Sequence, residues 1–123
     1  MAKLGIQNGK LSPCPDSPNC VSTHAIDSKQ KMGPLLFSGN TQMAKERLLK
    51  AVKSFPRTRV IKDEANYLHV TFTSGLFRFV DDVEFLINEV RGVIDFRSAS
   101  RVGYSDLGAN RKRMEKFRKV FEK

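Results

Sequence analysis

The stretch FRSASRVGYSDLGANRKRM, residues 96–114, sets four arginines and one lysine beside two glycines, three serines and a single acid. Arginine forks and serine hydroxyls converge on oxyanions, and a glycine turn feeding a helix exposes amide donors. The chemistry this composition suits is recognition of a phosphate or carboxylate. Gly103 and Gly108 have the G-x-x-x-x-G spacing of a nucleotide loop, but Ala109 and Asn110 stand where Lys and Ser or Thr are required. Asp106 inside the loop would also repel phosphate, so a nucleoside-triphosphatase reading is rejected. A smaller anion site survives, with Arg97, Ser98, Ser100, Arg101, Asn110 and Arg111 as its candidate ligands. The competing reading pairs Arg101 and Arg111 with Asp81, Asp82 or Asp106 and makes the stretch a locked structural corner.

Asp81 and Asp82 are the carboxylates to weigh against these arginines. Adjacent strand residues face opposite ways, so a regular strand cannot present them side by side. Asp81 falls in a row with Phe77, Phe79, Val83, Phe85 and Ile87. A carboxylate on an apolar face needs a partner, and an arginine from the last strand or its turn is the expected one. Were Asp81 or Asp82 instead an acid/base, the site would need a carboxyl of raised pKa in a cleft. The chain has two histidines, His24 and His69, and no nucleophile elbow. A lone strand histidine is read as structural, and no catalytic residue or cofactor is assigned. Cys14 and Cys20 bracket CPDSPNC, with two prolines between them. Disulfide or structural thiols is the preferred reading, ahead of a redox-active pair. No metal site is expected: two sulfurs need two further donors, and nothing in the spacing makes His24 and His69 supply them.

The elements that would position these groups follow from periodicity. Residues 1–40 hold four of the five prolines and four of the eight glycines and read as an extended arm anchored by scattered apolar residues. Residues 41–55 read as a helix capped by Thr41, with Ala44, Leu48, Val52 and Phe55 on one face, ended by Pro56. A short strand at 59–62 precedes YLHVTFTS, where Leu68, Val70 and Phe72 alternate with polar residues as in a half-buried strand. FRFVDDVEFLI and VIDFRSAS continue the pattern. A final helix runs from about Leu107 to Phe121, capped by Ser105 or Asp106, with Met114, Phe117, Val120 and Phe121 as its stripe. The expected fold is a single α+β domain over 1–123. It has two layers: an antiparallel four-to-five-stranded sheet with two helices on one face and an extended N-terminal arm.

Charge narrows the partners. The net charge is +9, and residues 97–123 hold nine Lys or Arg against three acids, a local excess of +6. Such a field draws a small anionic ligand or an acidic protein partner. Nucleic acid is disfavoured, because no helix-turn-helix, zinc-finger or RNA-recognition pattern is present. No apolar run reaches the length of a membrane span, and MAKLGIQNGK lacks the apolar core of a secretory leader. The chain is therefore read as cytoplasmic as given, or as exported after loss of a leader.

Two separated motifs, LSPCPDSPNCVST and DFRSASRVGYSDLGANRKRM, together with the central FVDDVEF, resemble the conserved family of unknown function numbered fourteen ninety-nine. The similarity extends over nearly the whole chain from about Leu4. It implies a bacterial and plastid family, often exported or membrane-associated, without an activity to transfer. The positions carried over are Cys14, Pro15, Asn19, Cys20, Val21 and Ser22; Asp81, Asp82 and Glu84; and Arg97, Ser98, Ser100, Arg101, Gly103, Asp106, Gly108, Asn110 and Arg111. The three segments are expected to meet in space. The leading functional expectation is non-enzymatic binding of a small anionic ligand or acidic partner through the arginine-rich corner. The alternatives are an enzyme using Asp81 or Asp82 as acid/base, and a protein-interaction module.

Overall fold

The computed structural model describes residues 4–122; residues 1–3 of the expected arm, and Lys123, lie outside them. Two short strands, β1 (Ile6–Gln7) and β2 (Lys10–Leu11), form a hairpin. β3 (Cys20–Ser22) and β4 (Leu35–Leu36) follow, then helix α1 (Thr41–Lys53). The chain continues through β5 (Thr58–Glu64), β6 (Tyr67–Thr73), β7 (Val80–Asn88) and β8 (Val93–Ser100) to helix α2 (Ala109–Phe121). The strands pair antiparallel in the order β3-β8-β7-β6-β5, with β4 also on β8. The fold is thus α+β, with an antiparallel sheet and two helices. Among the described residues no helix is long and apolar enough to cross a membrane.

Alternation along the strands places one apolar row under both helices. Leu68, Val70 and Phe72 of β6, Val83, Phe85 and Ile87 of β7, and Ile94 and Phe96 of β8 form one core with Ala44, Leu48 and Val52 of α1 and Met114, Phe117 and Phe121 of α2. The cap of α1 is Asn40 rather than Thr41: the Asn40 side chain accepts from the Met43 amide at 2.9 Å, satisfying one of the first-turn donors. Thr41 instead donates its hydroxyl to Glu89. β7 begins at Val80, so Phe77 and Phe79 do not extend the core row and are 69% and 56% exposed. The chain has already turned there: the Ser74 amide bonds the Phe79 carbonyl, and the Phe79 amide bonds Ser74 Oγ.

The second face of the sheet departs from the expected half-buried strand. Tyr67, His69 and Thr71 are buried as fully as the apolar residues between them, and so are Glu84 and Arg97 on the neighbouring strands. The early segments cover them. Leu11 packs with Tyr67 and Leu86, the Gly5 amide donates to Glu84 Oε2 at 2.6 Å, and Thr23 Oγ1 donates to Asp95 at 2.8 Å. The sheet is therefore lined by hydrocarbon on one side and by a desolvated polar layer on the other.

Candidate functional site

Strand register explains how the polar layer assembles. Glu84 on β7 lies directly opposite Arg97 on β8, and His69 on β6 lies opposite Glu84. Cross-strand neighbours on one face touch. Arg97 Nη1 stands 3.5 Å from Glu84 Oε1, with both side chains at 1% exposure or less. Tyr67 donates its hydroxyl to Glu84 Oε2 at 2.5 Å. One register step along, His69 Nε2 lies 2.7 Å from Asp82 Oδ1. Arg101 grips the same carboxylate with Nε and Nη2, each at 3.0 Å.

These environments set the ionisation of the groups. Burial works to raise the Asp82 carboxyl, but hydrogen bonds from His69 and Arg101 outweigh it and hold the pKa below the ordinary value. Burial, followed by the adjacent Glu84 carboxylate, pushes the Tyr67 phenol far up. Burial also depresses the Arg97 guanidinium, with Glu84 acting in the opposite direction. Arg101 is raised by its bond to Asp82. For Asp82, a folded pKa below the unfolded one, about 3.9, gives stability that is complete above that value and lost as pH falls through the folded pKa. Asp82→Asn should therefore flatten the loss of stability below about pH 4. Urea midpoints measured across an acid pH series check this, and an unchanged slope would assign acid sensitivity to other carboxyls.

The sheet divides the nominated residues into two sets. Asp82, Arg97 and Arg101 belong to the polar layer. Asp81, Ser98, Ser100 and Asn110 lie on the helix side. The arginine that meets Asp81 is Arg113 of α2, with Nη2 2.6 Å from Oδ2, rather than one from the last strand or its turn. Asn110 is wholly buried at the start of α2. It accepts from Ser98 Oγ at 2.6 Å and from Arg113 Nη1 at 2.8 Å, and donates to the Asn19 carbonyl, Ser100 Oγ and Asp106. Asp106 also accepts from the Gly108 and Asn110 amides, which makes it the acid that ties down the helix start. Gly108 itself sits at φ 82°, a conformation that suits glycine. Arg111 joins neither set. It donates to the Lys29 and Lys31 carbonyls, so its charge meets backbone oxygen rather than an acid of the chain.

Cys14 and Cys20 are joined by a disulfide. The loop they close is fastened to the glycine turn through Asn19, whose Nδ2 donates to the Gly103 carbonyl at 2.7 Å and whose carbonyl accepts from the Ser100 amide. Cys20 pairs with Ala99. The loop, the Asp81-Asp82 strand and the arginine corner therefore do meet at one end of the sheet. Between loop and corner is a cleft of about 180 Å³ lined by Leu4, Pro15, Ser17, Asn19, Asp82, Arg97 and Arg101, among others.

Residues 10–121 match the family described as "Protein of unknown function (DUF1499)". The chain belongs to the DUF1499 family. All three motif segments fall within the matched span, as the resemblance implied. No curated protein and no solved structure matches the chain.

In this DUF1499 chain the polar layer also contains residues that the sequence reading passed over. Sequence reasoning marks Glu84 only as a motif position and His69 only as structural, and it does not single out Tyr67; on the helix side it likewise misses Arg113. The available signal was the second row of the alternation: Tyr67 and His69 on β6, Glu84 on β7 and Arg97 on β8 share a parity that a solvated face would also have. Arg97 is the member with unused capacity. Among the described residues its Nε and Nη2 are buried and have no hydrogen-bond partner, and neither has Glu84 Oε1.

Proposed function

We propose that this DUF1499 domain binds a small ligand bearing a carboxylate or phosphate group, seated by Arg97 and Arg101 in the cleft between the disulfide loop and the glycine turn. One observation carries the reading. Nε and Nη2 are the two parallel donors of a guanidinium's side-on fork, the pair that matches an oxyanion. Among the described residues both are unpartnered on Arg97, while Nη1 alone faces Glu84. Leaving buried donors unmade is costly, so an acceptor supplied by a ligand restores what the fold leaves open.

The rest of the cleft suits this reading. Its volume fits a group of a few heavy atoms, being smaller than the several hundred Å³ of a drug-sized pocket. Arg101, 41% exposed at the mouth, is held in place by Asp82. Asp81 and Asp82 are both engaged by arginines, and the Asp82 carboxyl is held below its ordinary pKa, opposite to the rise that an acid/base reading requires.

Arg97→Lys tests the proposal, because it keeps the positive charge and removes the planar fork. Native mass spectrometry of the protein purified from its own source is expected to show a co-purifying acid that is lost in Arg97→Lys and weakened in Arg101→Ala. Titration with acetate and with inorganic phosphate should show the same order. Undiminished binding in a folded Arg97→Lys protein would remove the fork from the site.

A further inference from the structure

The same end of the sheet carries a second feature that the cleft does not use. Of the fourteen large apolar side chains that are exposed among the described residues, six lie in two neighbouring loops: Leu76, Phe77 and Phe79 in the β6–β7 turn, and Val102, Tyr104 and Leu107 between β8 and α2. The loops adjoin, since Phe79, Val102 and Leu107 line one shared depression and the Arg101 amide bonds the Val80 carbonyl. Scattered exposed apolar residues are ordinary, whereas a cluster at one end is a contact surface.

The local backbone holds these side chains outward. The first loop is closed by both Ser74–Phe79 hydrogen bonds, and the Phe77 and Phe79 rings stack at 5.7 Å. Arg78 and Leu107 occupy the left-handed region, with φ 58° and 54°, which L-residues other than Asn and Asp seldom adopt. Leu107 is 88% exposed and Leu76 82%.

The charge around the first loop has one sign. Exposed Arg78 lies within the first loop, and Arg57, whose Nε bonds the Thr73 carbonyl, lies against Gly75. No acid occurs between Ser74 and Phe79. The nearby acids are already engaged: Asp81 by Arg113, Asp82 by Arg101, and Asp106 by the start of α2. Arg57 and Arg78 are therefore uncancelled beside the apolar tips.

We infer that these two loops dock the domain peripherally onto an anionic lipid surface, with the apolar tips entering the headgroup boundary and Arg57 and Arg78 facing the lipid phosphates. Leu76, Phe77 and Tyr104 stand 69–82% exposed on the two loops, free to enter a fluid interface, and Arg57 and Arg78 beside the first loop complement acidic headgroups. Buried apolar area and basic charge near acidic headgroups together set the strength of such binding.

Cosedimentation of the full chain with vesicles of phosphatidylcholine and phosphatidylglycerol tests this, with phosphatidylcholine vesicles as the comparison. Binding is expected to the anionic vesicles, with weakening at high salt, where the Debye length shrinks to about 3 Å at 1 M. Leu76→Ser with Phe77→Ser should lower the partition coefficient by about tenfold or more, and Arg78→Glu should lower it as well. All three positions are exposed, so folding is expected to persist, and circular dichroism checks that. Acetate added at constant ionic strength should leave vesicle binding unchanged, which separates this surface from the anion cleft. Equal binding to both vesicle types, no binding, or a concentration-dependent dimer abolished by Phe77→Ser would overturn the inference, the last by assigning the patch to a second copy of the chain.

Discussion

Glu84→Ala is expected to cost the fold about 3–5 kcal/mol, the loss typical of removing one partner from a desolvated ion pair. Glu84 is 0% exposed and Arg97 1%, so after the substitution no water compensates the guanidinium. The same change strips the acceptor from the Tyr67 hydroxyl and the Gly5 amide. Against a total stability of about 5–15 kcal/mol, the variant should unfold at far lower urea. The interpretation can be dissected. Glu84→Leu combined with Arg97→Met should recover most of the loss, because replacing a buried pair by hydrocarbon is often neutral. Adding Tyr67→Phe should recover about a further 1–3 kcal/mol by removing an orphaned hydroxyl. If Glu84→Ala alone costs under about 1 kcal/mol, the pair behaves as a solvated surface bridge and the polar layer is not dry.

That experiment concerns the half of the molecule least legible in the sequence. Leu68, Val70 and Phe72 announce their strand, and Met114, Phe117 and Phe121 their helix, because burial against a neighbouring layer imposes periods of two and 3.6. Asp81 was conspicuous for the same reason, as a charge in a phenylalanine row, and an arginine does meet it. Which arginine was not legible. Arg113 is 32 residues away on α2, and only its place beside Asn110 and Met114 on the buried stripe marks it. The second face is harder still. Tyr67, His69, Glu84 and Arg97 alternate as solvent-facing residues do, and it is Gly5, Leu11 and Thr23, distant in sequence, that close over them. Alternation reports which residues share a face. It does not report what covers that face.

Phe117→Ala is the matching perturbation of the other face, and it too should cost about 3–5 kcal/mol. Phe117 is fully buried, its ring 5.1 Å from that of Phe85 and 5.7 Å from that of Phe55, which in turn meets Phe72 edge-on at 5.5 Å. Truncation leaves a cavity bounded by a helix and a sheet, neither of which can collapse into it without losing contacts elsewhere. Urea denaturation should show a lower midpoint with an unchanged slope, since the surface exposed on unfolding hardly alters. The informative comparison is with ligand binding. Phe117 and the Arg97 fork lie on opposite faces of the sheet, so the folded Phe117→Ala protein should bind acetate or phosphate as the parent does. Glu84→Ala, at similar cost to stability, should change that binding, because Glu84 holds the other edge of the same guanidinium. If both variants lose binding alike, binding merely follows global stability and the two faces are not functionally distinct. If only Glu84→Ala does, the hydrocarbon face supplies the scaffold and the buried polar face the recognition.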